Sequence, residues 1–177
     1  MNLKKVEDFI ITDVEDLLET CKEFVSLNPF PKHNQLCFLN TPGHVPDPNQ
    51  GTGNVLDVNS NMFGSKETDF TEFHPMWKDT ILYDLYKRFP KPVTRMRLMQ
   101  VQPKRTYSIH QDGKNEIRYH IAVKTSKEAF FMYADSLELI QIPADGCAYE
   151  FNVERPHTFL NCNRHEDRWH LVLNGLV

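Results

Sequence analysis

No CxxC pair occurs in this 177-residue sequence; its four cysteines, Cys21, Cys37, Cys147 and Cys162, lie far apart. That excludes a zinc ribbon and a thioredoxin-type motif, and a chain of this length needs no disulfide staples. All four read as free thiols that pack as small apolar groups. Also missing is any apolar run near the ~20 residues that span a bilayer. Nor does an apolar signal core follow the opening Met1-Asn2-Leu3-Lys4-Lys5-Val6-Glu7-Asp8. The expectation is a soluble, cytoplasmic protein with no membrane partner. Excess positive charge is lacking too: 20 Lys+Arg against 24 Asp+Glu leave a formal charge of −4. A nucleic-acid partner held by bulk positive charge is therefore not expected. Internal repeats and low-complexity tracts are absent.

Ordinary usage fills the rest, with 40% hydrophobic and 25% charged residues, so residues 1–177 are expected to form one folded domain. The unusual component is histidine. Five of the eight, His110, His120, His157, His165 and His170, crowd towards the C-terminal end.

Along the chain, Thr12-Asp13-Val14-Glu15 has the form of a capping box with Thr12 as N-cap. Val14, Leu17, Leu18, Cys21, Phe24 and Val25 follow at helical spacing, which predicts a helix over 13–26 that Pro29 and Pro31 stop. A short strand fits 35–40. Residues 41–66 concentrate Pro, Gly, Asn and Asp and read as a long irregular loop, either a lid or a surface excursion. Pro75 opens a second predicted helix over 75–89, with Trp77, Ile81, Leu82, Leu85 and Phe89 on its apolar face.

Beyond Pro92 the pattern turns to short strands, at 93–102, 106–111, 116–124, 128–133, 137–142, 147–152, 157–162 and 167–175. The class is α+β, mostly β: residues 1–92 buttress a sandwich, jelly roll or barrel formed by 93–177. Period-2 parity then sorts the side chains. Ile117, Tyr119, Ile121 and Val123 oppose Arg118, His120 and Ala122; Trp169, Leu171 and Leu173 oppose Arg168, His170 and Val172. A solvated outer face and a polar pocket within the β core both account for such Arg/His faces. The additional histidines nearby favour the pocket.

His110-Gln111-Asp112 is an HxD triplet, and on a strand its two outer side chains would share a face. With His157 from a distant strand it makes two imidazoles and a carboxylate, the facial set that suits non-haem Fe(II) and leaves coordination positions open. Arg168 follows, a guanidinium able to grip a carboxylate in a bidentate fork.

Two stretches carry a family resemblance: Tyr107-Ser108-Ile109-His110-Gln111-Asp112 with Arg118-Tyr119-His120, and His157-Thr158-Phe159-Leu160-Asn161 with Asp167-Arg168-Trp169-His170. Residues 93–175 resemble the 2-oxoglutarate- and Fe(II)-dependent oxygenases, most closely the aspartyl/asparaginyl β-hydroxylase-like branch that includes proline hydroxylases. The resemblance implies a double-stranded β-helix (jelly roll, cupin-like), with His110, Asp112 and His157 as iron ligands. It implies Arg168 as the anchor of the distal 2-oxoglutarate carboxylate, and Arg118 and His120 near the co-substrate or substrate carboxylate. Fe(II), 2-oxoglutarate and O₂ are the implied cofactors and co-substrates. The implied reaction is hydroxylation of a free amino acid or of an amino-acid residue in a peptide, with release of succinate and CO₂. Two other readings remain at this stage: a cupin-type metal-binding barrel without oxygenase activity, and a structural jelly roll. Oligomeric state is not legible.

Overall fold

The computed structural model describes residues 4–53, 58–60, 62, 64–114 and 116–175. Its strands are β1 (Lys4–Ile10), β2 (Gln35–Cys37), β3 (Leu39–Asn40), β4 (Glu72–Phe73), β5 (Val93–Val101), β6 (Arg105–Thr106), β7 (Ile117–Lys124), β8 (Ala129–Tyr133), β9 (Glu138–Ile140), β10 (Cys147–Asn152), β11 (His157–Asn161) and β12 (Arg168–Gly175). The helices are α1 (Val14–Leu27) and α2 (Ile81–Arg88). A six-stranded sheet runs in the order β1-β10-β7-β12-β5-β2, a four-stranded sheet in the order β6-β11-β8-β9, and β3 pairs with β4. Every strand pairing is antiparallel. No helix among the described residues is long and apolar enough to cross a membrane.

Three layers result: helices, six-stranded sheet, four-stranded sheet. Leu17, Cys21 and Phe24 of α1 and Leu82 and Leu85 of α2 pack on Leu98, Tyr119, Ile121, Leu171 and Leu173, which line one face of the large sheet. Its other face meets the small sheet through aromatic rings, with Phe151 of β10 at 4.3 Å from Phe131 of β8 and 5.2 Å from the His120 ring on β7 of its own sheet. The large sheet is thus covered on both sides, and all nine residues of β5 are buried. Alternation in β7 and β12 follows the expected parity, with Ile121 and Leu171 towards the helices and Arg118, His120 and Val172 towards the small sheet.

Several expectations are corrected. The N-cap of α1 is Asp13, not Thr12; its carboxylate accepts from the Asp16 amide at 2.9 Å. A charged acceptor at that position satisfies an orphan amide and complements the helix dipole. The second helix is split: Pro75–Trp77 form a 3₁₀ turn, and α2 begins only at Ile81. Thr80 between them is extended, and its hydroxyl donates to the Trp77 carbonyl at 2.7 Å, so the chain turns without orphaning that group. The predicted strand over 35–40 divides at Phe38. Among the cysteines, Cys21, Cys37 and Cys147 are buried free thiols, whereas Cys162 is exposed.

β1 is an addition. Its buried residues are Val6 and Phe9, three apart, because Asp8 adopts a positive φ of 57° and the pairing with β10 slips there. A kinked strand has no period-2 signature to read.

Candidate metal centre

His157 is the first residue of β11 in the small sheet. His110 and Asp112 do not lie on a strand as expected: β6 ends at Thr106, and residues 107–112 run as an irregular segment. That segment is nonetheless tied to the small sheet by reciprocal backbone bonds between His110 and His157, at 3.0 and 2.9 Å, and to the end of β10 by the Asp112 amide on the Val153 carbonyl at 2.9 Å. The pairing sets the two imidazoles 4.4 Å apart, centroid to centroid. One ligand atom from each of His110, Asp112 and His157 falls within 4.8 Å of the others.

Both rings present the same nitrogen to the protein. His110 Nδ1 lies 2.8 Å from the Ser108 carbonyl, and His157 Nδ1 lies 2.8 Å from the Arg155 carbonyl. A carbonyl can only accept, so each Nδ1 carries the proton and each Nε2 keeps its lone pair for a metal. Phe131 stacks on His157 at 5.3 Å and 11°, fixing that ring. Burial pushes the His157 imidazole below its ordinary pKa, outweighing the Arg155 carbonyl, so the ring stays neutral near pH 7. Asp112 is steadied by Arg118 at 3.1 Å.

The three ligands open onto a cavity of about 590 Å³ between the sheets, within the range of small-molecule sites. Comparisons with protein-family models and with curated proteins find no match. Among solved structures, a crystal structure of EvdMO1 is similar with a TM-score of 0.47 at 13% identity, over 92% of this chain and 43% of that one. A crystal structure of CapF with the inhibitor 3-isopropenyl-tropolone is similar with a TM-score of 0.36 at 14% identity, over 50% of this chain and 25% of that one. The chain thus spans less than half the length of either.

The predicted residues divide by position. Arg118 and His120 line the cavity. His120 is buried, and neither of its ring nitrogens has a partner. Burial, reinforced by the Arg168 cation, drives its pKa well below the ordinary value. Arg168 is buried behind Phe159, its guanidinium carbon 4.7 Å from that ring, and it does not reach the cavity wall. It meets His170 Nδ1 at 3.0 Å and forms no salt bridge with Asp167, which accepts from Gln100. His165 is exposed. His33, in the turn before β2, also lines the cavity.

Glu67, Arg95, Arg97 and Tyr107 also line the cavity and were missed. The register explains the arginines. Between Val172↔Arg97 and Asn174↔Thr94, β5 carries one residue more than β12, and Arg95 there has φ 45°. Arg97, paired with cavity-lining Val172, and Arg95 two residues before it face the cavity, while Met96 and Leu98 join the helix-side core. Arg95-Met96-Arg97-Leu98 alternates charged and apolar residues, the same signal that exposed Arg118-Tyr119-His120. Glu67 pairs with Arg95 and sits 2.6 Å from Arg118. Burial opposes its ionisation, but the Arg95 and Arg118 cations prevail and hold its pKa down.

Proposed function

We propose that the chain is an Fe(II)- and 2-oxoglutarate-dependent oxygenase of double-stranded β-helix fold, acting on an amino acid or an amino-acid residue in a peptide. The observation that carries this reading is the meeting of two Nε2 lone pairs and one carboxylate at a cavity wall. Two imidazoles and a carboxylate on one side are the donor set suited to Fe(II) with open positions. Zinc structural sites instead close four ligands around the ion. The unpartnered His120 nitrogens and the carboxylate-free Arg168 guanidinium lie deeper in the same layer.

Iron bound there would couple O₂ to the oxidation of an unactivated C–H bond, with 2-oxoglutarate converted to succinate and CO₂. The protein's own contribution is positional. The Ser108 and Arg155 carbonyls hold both imidazoles in one tautomer, and Arg118 keeps the Asp112 carboxylate from rotating away. The family resemblance assigns the distal carboxylate of 2-oxoglutarate to Arg168, and because that guanidinium lies behind Phe159, the ring would have to turn aside for the two to meet. The 41–66 loop is the candidate lid. Its described part is anchored to the site where the Gly51 and Gly53 carbonyls accept from Arg95; residues 54–57, 61 and 63 lie outside the described residues.

The test is succinate formation from 2-oxoglutarate with Fe(II) and O₂, using panels of free amino acids and of peptides. Turnover is expected, and Asp112→Ala or His157→Ala should lower it by more than about 100-fold, since removing a ligand costs more than disturbing its support. Stimulation by peptides alone would exclude a free amino acid as substrate. A protein that binds metal but neither binds nor consumes 2-oxoglutarate would be the cupin-type binder instead.

A further inference from the structure

Four arginines surround the inner layer, and they differ in how their charge is met. Arg95 is neutralised by Glu67 and donates to the Gly51 and Gly53 carbonyls at 2.8 and 2.6 Å. Arg118 faces three carboxylates, Glu67, Glu116 and Asp112, at 2.6, 2.7 and 3.1 Å. Arg97 and Arg168 have no carboxylate partner among the described residues. Arg97 donates only to neutral amide oxygens, Gln35 Oε1 at 3.1 Å and Asn174 Oδ1 at 3.3 Å. Its Nε is buried and has no hydrogen-bond partner among the described residues.

The register places Arg97 on the cavity floor. Tyr149, His120, Val172 and Arg97 lie side by side across β10, β7, β12 and β5. Two strand spacings, roughly 10 Å, separate Arg97 from His120 on the same face. Holding an unpaired guanidinium in such a place is unfavourable, and a buried donor without an acceptor calls for a reason. A 2-oxoglutarate whose distal carboxylate met Arg168, as the oxygenase reading assigns it once Phe159 turns aside, would answer one of these two charges. It leaves Arg97 open.

We propose that Arg97 is a substrate-recognition residue that binds the carboxylate of a second small molecule, the free α-carboxylate of an amino acid, in a subsite positioned by Gln35 and Asn174. The proposal takes its amino-acid class from the oxygenase reading, but the anion site itself needs neither iron nor turnover. It also predicts a trade-off: the unliganded protein gains nothing from Arg97, and only the bound carboxylate uses it.

The test is done on metal-free protein, following the thermal unfolding midpoint and titration calorimetry. The probes are the common L-amino acids, their carboxamides and, separately and on protein loaded anaerobically with Fe(II), 2-oxoglutarate. At least one amino acid should raise the midpoint while its carboxamide does not. Arg97→Met should weaken that amino acid at least tenfold, in line with a hydrogen-bonded charge. It should leave 2-oxoglutarate binding as in the wild type, and the midpoint of the unliganded variant should hold or rise. Arg97→Lys, which keeps the charge but loses the fork, should fall between. The proposal is overturned if no amino acid binds, if carboxamides bind equally, or if Arg97→Met unfolds more easily with binding intact. Loss of 2-oxoglutarate binding in Arg97→Met would also overturn it, making Arg97 the co-substrate anchor. Failure of 2-oxoglutarate to bind the wild type, with amino-acid binding preserved, would count against the oxygenase reading alone.

Discussion

His120 and His170 are fully enclosed, and burial together with the nearby Arg168 cation drives both imidazoles well below their ordinary pKa. In the unfolded chain they titrate near 6.5, so on acidification the unfolded state takes up protons that the folded state refuses. Their contribution is complete above about pH 6.5 and is lost as the pH falls below it. Between pH 7 and pH 5 each should cost about 2 kcal/mol of stability. His120→Phe, which matches the surrounding Phe131, Phe151 and Phe159 rings, should remove one such share. Denaturant midpoints at the two pH values measure it, and an unchanged difference would contradict the assignment. At this scale the three candidate ligands were legible as a set, because imidazole and carboxylate announce their chemistry by type, whereas Glu67, Arg95 and Arg97 of the cavity wall were not. What composition cannot show is which arginine is neutralised by a neighbour: Arg118 meets three carboxylates and Arg97 none, and only the fold distinguishes them.

Elements were legible where their periodicity is unbroken. β7, β10 and β12 match the expected runs within two residues, and α1 within one. Kinked or split elements were not: β1 turns at Asp8, β5 bulges at Arg95, and the segment carrying His110 and Asp112 follows the small sheet without joining it. Beside that bulge, the Glu67 carboxylate serves Arg95, Arg118 and Asn174 together. Glu67→Gln should therefore destabilise the fold by about 3–5 kcal/mol, the cost of leaving a buried charge unpaired. Chemical denaturation tests this, and a loss below about 1 kcal/mol would show the network to be dispensable. By contrast, Asp13→Ala removes only a cap and should cost about 1 kcal/mol.

The molecule separates support from chemistry by layer. Helices α1 and α2 stabilise the large sheet from one side, while the ligands and the cavity occupy the other. Phe24, which packs edge-on against Trp77 at 5.0 Å, belongs wholly to the support. Phe24→Ala should cost about 3–5 kcal/mol while metal affinity at low temperature stays unchanged. An altered affinity in a variant that remains folded would show the layers to be coupled. The central claim is that His110, Asp112 and His157 hold Fe(II) with room for 2-oxoglutarate beside it. Anaerobic titration of 2-oxoglutarate into the Fe(II)-loaded protein, followed by visible absorption, tests it most directly. A weak charge-transfer band that saturates in the wild type, and is missing in His157→Ala, is the predicted result; iron bound with no band at saturating 2-oxoglutarate would contradict it.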